Sequence, residues 1–308
     1  MGARSTDRVS ELMTQVRTDQ IVSATGIAHT RWATHGAPAV HNAHPHFSTG
    51  PGATTEAPAR VALVHNGIIE NHDTLRTELQ AQGYVFQSQT DTEVIAHLVN
   101  ELYDGDLLRT VQKAVKRLRG AFAIAVFCKD EPDRVVGARL GCPLVVGIGK
   151  GENFIASDIF ALVGETQRFV FLEDGDLAEL TTDSVRIFDQ TGALVERSVH
   201  ETGLAADAVE RGEYRHYMQK EIHEQPEAVR KTLEGRLNNG RVLDAAFGPE
   251  AAEAFNGVRA VQIVACGTSY HAGMVARYWM EDIGGIPCAV EVASEFRYRR
   301  HVVVPGTL

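Results

Sequence analysis

Residues 121–148 read AFAIAVFCKDEPDRVVGARLGCPLVVGI. Three short apolar runs, 121–128, 134–140 and 143–148, are separated by charged and Gly/Pro-containing breaks. Each run is too short for a globular helix and rich in small, β-branched or aromatic side chains, so each reads as a strand. Four more runs, 154–156, 169–172, 176–180 and 184–188, continue the pattern. Successive strands set apart from the helices argue for sheet packed against helices.

Helical periodicity lies upstream. Val9, Leu12, Met13 and Val16 fall at i, i+3, i+4 and i+7, predicting an amphipathic helix over 7–17. Residues 29–60 are rich in His, Pro and Gly, and 48–58 within them reads as a surface insertion. A strand over 60–65 ends in Asn66-Gly67. A helix follows, capped by Asn71, with Leu75 and Leu79 buried and Gly83 as its stop. Thr90-Asp91-Thr92-Glu93 fits a capping box opening a second helix, and a third spans 108–118. Helices and strands in blocks predict an α+β domain over 1–186.

Beyond it, 187–251 reads as a linker, polar and Ala-rich at 201–211, with a helix over 213–235 broken at Pro226. Residues 252–308 begin a different architecture. A strand (259–265), a turn (Cys266-Gly267-Thr268-Ser269), a helix (270–282) and a strand (287–293) form a βαβ unit, the opening of an α/β domain.

Composition narrows the function classes. The chain has 308 residues, 44% of them hydrophobic and 23% charged, with a net charge of −10. Nucleic acid as a partner calls for a basic footprint that this charge opposes. No apolar run approaches the roughly 20 residues that span a bilayer. Cys128, Cys142, Cys266 and Cys288 are widely spaced without a CxxC pair, as expected of a reduced, cytoplasmic protein. His29, His35, His41, His44 and His46 match no metal-site spacing, and neither a metal nor another cofactor is expected.

Four stretches carry candidate chemistry. In His29-Thr30-Arg31-Trp32-Ala33-Thr34-His35-Gly36, Arg31 can grip a carboxylate and Trp32 can cover a ligand; a loop with a surface Arg and a core Trp reads the same way. Asn66-Gly67 offers a carboxamide and a main-chain N–H for an oxyanion hole, or simply a hairpin turn. Asp91 can hold an ammonium group or complement a helix dipole. Thr268 and Ser269 suit an anionic or polyhydroxyl ligand, or cap the helix.

Taken in order, 28–36, 42–46, 64–72, 90–98, 141–147, 151–158, 214–226, 265–270 and 293–299 resemble the glucosamine-6-phosphate synthase family. The resemblance implies an Ntn-hydrolase-type α/β/β/α glutaminase domain, two facing sheets with helices outside, followed by the first βαβ portion of an α/β sugar isomerase (SIS) domain. It implies L-glutamine and fructose 6-phosphate as substrates, glucosamine 6-phosphate as product, and a homodimer when intact. Arg31 would hold the glutamine carboxylate and Asp91 its α-ammonium. Thr34 and His35 would line that pocket, Trp32 would close over it, and Asn66 and Gly67 would form the oxyanion hole. Thr268 and Ser269 would contact the sugar phosphate. The family's opening Cys-Gly-Ile-Val-Gly, with its nucleophilic cysteine, has no counterpart in Met1-Gly2-Ala3-Arg4, so the chain reads as an inactive fragment. Two alternatives are a dead ligand-binding homologue and another class II amidotransferase.

Overall fold

The computed structural model describes residues 2–31, 36–53, 57–203, 212–234, 236–238, 240–247 and 250–308. The chain divides into two units, Met1–Glu210 and Arg211–Leu308. The first contains helices α1 (Val9–Thr18), α2 (His72–Ala81), α3 (Asp91–Leu102) and α4 (Leu107–Val115). Its strands are β1 (His46–Ser48), β2 (Val61–Ile69), β3 (Gly120–Cys128), β4 (Val135–Leu140), β5 (Val145–Ile148), β6 (Asn153–Ala156), β7 (Arg168–Phe171), β8 (Leu177–Leu180), β9 (Val185–Phe188), β10 (Leu194–Val195) and β11 (Val199–Glu201).

Two antiparallel sheets result, in the orders β1-β2-β3-β4-β8-β9-β10 and β11-β7-β5-β6. The two-residue period of β3 sorts its side chains between two layers. Phe122, Ile124, Val126 and Cys128 join Leu75, Leu79, Ile95, Leu98, Leu107 and Val111 in a core between the large sheet and α2–α4. Ala123 faces the other way, into a second core with Val146, Val170, Ala178 and Leu180. Small residues let the sheets approach. A Cβ at Gly137 would stand 2.1 Å from Ile155 Cδ1. The outer face of the small sheet is covered by residues 157–166, including the 3₁₀ turn Ile159–Ala161, which packs on Val145 and Phe169.

The strands of the 121–188 region form within two residues of their expected bounds; upstream, the differences are physical. The strand does not end at Asn66-Gly67: β2 runs through it to Ile69, pairing Asn66 with Ala123 and Gly67 with Phe122. There is no hairpin turn there. Asn71 precedes α2, but its side chain makes no cap bond. It donates to Arg117 O (2.9 Å) and accepts from Arg119 N (2.9 Å), tying α2 to the start of β3. Thr90 does cap α3, accepting from Glu93 N at 3.3 Å, yet the box is not reciprocal. The Glu93 carboxylate accepts from Gln87 N, Ser88 N and Ser88 Oγ at 2.7–2.8 Å. The first unit also extends past residue 186, because β9, β10 and β11 complete its two sheets. Most of the segment 201–211 lies outside the described residues.

The second unit comprises α5 (Tyr217–Leu233), β12 (Leu237–Asn238), β13 (Arg241–Val242), α6 (Ala251–Asn256), β14 (Val261–Ala265), α7 (Gly267–Asp282), β15 (Cys288–Val292) and α8 (Ala293–Tyr298). Helix α5 is continuous through Pro226, where a break was expected; it buries no side chain. β14 and β15 are parallel neighbours joined through α7, the expected right-sized βαβ unit. Gly273 permits close helix–sheet packing, since a Cβ there would meet Ile263 Cγ2 at 2.9 Å. No helix among the described residues is long and apolar enough to cross a membrane.

Candidate functional site

A cavity of about 120 Å³ opens in the first unit where three segments converge. The 29–31 segment contributes His29, Thr30 and Arg31. Strand β2 contributes His65, Asn66 and Gly67, and the start of α3 contributes Thr90, Asp91 and Thr92, with His44 joining from the β1 approach. Arg31, Asn66, Gly67 and Asp91 are thus brought to one place from positions up to 60 residues apart in the sequence. A larger cavity of about 300 Å³ beside residues 24–28 is lined by Asp133 and Glu152 and by no cationic side chain among the described residues.

Each group has a structural reason for its place. Gly67 has φ 122°, and a Cβ there would lie 2.1 Å from Ala121 O, so strand pairing at this point requires glycine. Asp91 occupies the first turn of α3, 3% exposed, where the helix dipole favours a carboxylate. Its Oδ2 accepts from Ile69 N at 2.9 Å and lies 4.0 Å from His65 Nδ1. Arg31 is half-buried; its guanidinium donates to Gly36 O (3.2 Å) and Ala37 O (3.4 Å).

Behind these groups stands a wall of imidazoles. His29 and His44 pack with ring centroids 4.1 Å apart, and His44 and His46 at 5.1 Å. His65 Nδ1 is 3.0 Å from Thr92 Oγ1, and His65 N donates to His44 Nδ1 at 3.5 Å. His46 Nε2 is 3.0 Å from Thr90 Oγ1. Burial, reinforced by the neighbouring histidines and Arg31, drives the His44 pKa down to about 2. Burial, with Arg4 adding to it, lowers that of His46 to about 4 against the pull of Glu93. His44 and His46 are therefore neutral at physiological pH, and Arg31 is the one Arg or Lys side chain in the described lining of the cavity. A cation, an anion and a carboxamide around so small a volume suit a zwitterionic amino acid with a polar end group. Among the described residues no three His, Cys, Asp or Glu side chains are arranged to hold a metal ion.

Trp32, Thr34 and His35 lie outside the described residues. Thr268 and Ser269 sit elsewhere, exposed in the first turn of α7 beyond the end of β14. Neither caps that helix: Cys266 is the N-cap and makes no side-chain cap bond. His29, His44, His65, Thr90 and Thr92 line the cavity without having been singled out as its residues. Their signal was available in part, as polar side chains flanking an apolar strand and opening an apolar helix.

Two domain-family models match stretches of the chain, one in each unit. Residues 48–164 match the glutamine amidotransferase domain family and residues 255–308 match the SIS domain family. Over almost its whole length the chain is a relative of the glutamine–fructose-6-phosphate aminotransferases (isomerizing). It is 58% identical to the one from Bordetella pertussis over 305 residues, 99% of this chain and 49% of that protein. The Pseudomonas putida and Pseudomonas aeruginosa proteins of the same name are 57% and 55% identical over 307 residues, with the same coverage. The chain spans about half the length of these relatives.

Proposed function

We propose that the chain carries the glutamine-binding half, and the opening of the sugar-binding half, of an enzyme that makes glucosamine 6-phosphate from fructose 6-phosphate and L-glutamine in the cytoplasm. The observation that carries this reading is the convergence of Arg31, Asp91, Asn66 and Gly67 on one cavity. Arg31 takes the α-carboxylate in a planar, two-pronged grip that a point charge cannot reproduce. Asp91, held by Ile69 N, takes the α-ammonium. Those two contacts fix the side-chain amide toward Asn66 and Gly67. When a nucleophile adds to the amide carbon, the carbonyl oxygen becomes an oxyanion, and the Asn66 carboxamide and Gly67 main chain supply donors to it. Trp32, Thr34 and His35 complete the same pocket in this reading.

In the second unit, Thr268 and Ser269 at the start of α7 bind the phosphate of the sugar, where helix amides and hydroxyls favour an anion. The intact protein is a homodimer in this reading, as the family resemblance implies.

Calorimetry separates the parts of the amino-acid claim. L-glutamate binds. Glutarate, which lacks the α-ammonium, and 4-aminobutyrate, which lacks the α-carboxylate, each bind at least tenfold more weakly, about 1.4 kcal/mol. Equal affinities for the three, or no binding of L-glutamate, overturn the reading.

A further inference from the structure

We infer that His29 is a positioning residue that locks the Asn66 carboxamide with its amide nitrogen turned to the cavity. The inference rests on the glutamine reading and extends it to a group that does not itself touch substrate. His29 Nε2 lies 2.7 Å from Asn66 Oδ1. A carboxamide oxygen only accepts, so Nε2 carries the proton and donates. The other ring nitrogen, Nδ1, is buried and has no hydrogen-bond partner among the described residues. A lone pair tolerates that position; an N–H there would lose its water and gain nothing.

The tautomer and the amide orientation are therefore one choice. With the proton on Nε2, Oδ1 is tied back and the Asn66 NH₂ is the free end. With the proton on Nδ1, the amide would flip, bury an unsatisfied donor, and present a carbonyl oxygen to a developing oxyanion. The surroundings hold the first state. The ring is packed against His44 at 4.1 Å, so it does not turn freely. Burial, reinforced by nearby Arg31, holds the His29 pKa below its ordinary value despite the Asn66 contact that raises it, so the imidazolium is disfavoured too. The preorganisation matters because a donor fixed before charge develops costs no reorganisation during the reaction.

The test uses the 308-residue protein, nitrogen NMR and two substitutions of opposite kind. In the free wild-type protein, His29 is expected as the neutral Nε2–H tautomer; an Nδ1–H tautomer or an imidazolium at pH 7 overturns the proposal without any ligand. His29→Gln keeps an N–H donor at a similar reach and loses the ring. His29→Phe keeps the ring packing and loses the donor. Positioning predicts that L-glutamate affinity stays within about threefold in His29→Gln and falls at least tenfold in His29→Phe. A purely packing role predicts the reverse order, and that result overturns the proposal. Equal glutamate affinity in wild type and both variants also overturns it while leaving the glutamine pocket standing. Failure of the wild-type protein to bind L-glutamate instead removes the glutamine reading itself, and the tautomer measurement still reports on the His29–Asn66 lock. Should His29→Phe fail to fold, the tautomer and the His29→Gln affinity decide.

Discussion

Replacing Asp91 in two ways separates what it does for the fold from what it does for a ligand. The carboxylate is 3% exposed, so solvent screens it little, and Oδ2 accepts from Ile69 N at 2.9 Å. Asp91→Asn keeps an oxygen for Ile69 and removes the charge. The stability loss is that of a missing charge at a helix N-terminus, about 0.3–1 kcal/mol. Asp91→Ala also strands the buried Ile69 N–H, adding about 1–3 kcal/mol. Urea unfolding is expected to rank wild type, Asn and Ala in that order, with the larger step at Ala. Binding ranks them differently. A charge-assisted hydrogen bond to an α-ammonium contributes about 1.5–3 kcal/mol and a neutral one about 0.5–1.5. The Asn variant therefore gives up about 1.4 kcal/mol, and its L-glutamate affinity by calorimetry drops about tenfold. Glutarate, with no ammonium to lose, binds Asp91→Asn at least as well as wild type. A folded Asp91→Asn with unchanged glutamate affinity would refute the ammonium role, and an Asp91→Ala as stable as wild type would refute the Ile69 contact.

Arg31→Ala should weaken L-glutamate about tenfold in the same assay, the low end for a half-exposed charge-assisted contact, and Arg31→Lys should recover part of it; a silent Arg31→Ala removes the carboxylate grip. Gly67→Ala combines an unfavourable φ with main-chain overlap at Ala121 O, so a loss of about 3 kcal/mol is expected in urea unfolding, and a loss under about 1 would contradict the strand geometry. Acid stability follows from the imidazole wall. His44 and His46 stay neutral in the fold down to about 2 and about 4 but take up protons when unfolded below the ordinary histidine value of 6.5. Their contribution is present above pH 6.5 and lost as pH falls, so unfolding free energy should drop between pH 6.5 and 4, more gently in His46→Gln; a flat profile argues against burial of both rings as neutral bases. No cysteine lines the cavity among its described residues, and burial pushes the Cys128 thiol up. A polypeptide of these 308 residues should release no ammonia from glutamine, and release that a thiol alkylator abolishes would contradict that.

What the sequence disclosed follows from where the physical signal is local. The runs over 121–188 are legible because each apolar strand is short and bounded by charge, Gly or Pro, and pleat alternation then assigns Phe122 to one core and Ala123 to the other. The capping threonine of α3 is legible for the same reason, whereas the destination of the Glu93 carboxylate, three donors on Gln87 and Ser88, is set by a loop that folds back only in three dimensions. Asn66-Gly67 shows the limit most sharply. The dipeptide favours a turn, and here the glycine is used instead to carry a positive φ inside a strand that continues to the fully buried Ile69. That departure falls at the point where Asn66 and Gly67 line the cavity. A locally improbable strand glycine beside a half-buried carboxamide is the mark of a position used for chemistry rather than for folding. Arg31, Asn66, Gly67 and Asp91 were singled out from residue chemistry and then from a resemblance; the imidazoles packed behind them were not given roles in the cavity, because a histidine's partners are decided by side chains 21 to 44 residues away in sequence. The residues that touch a ligand can be read from motif, and those that hold them in place only from the packed structure.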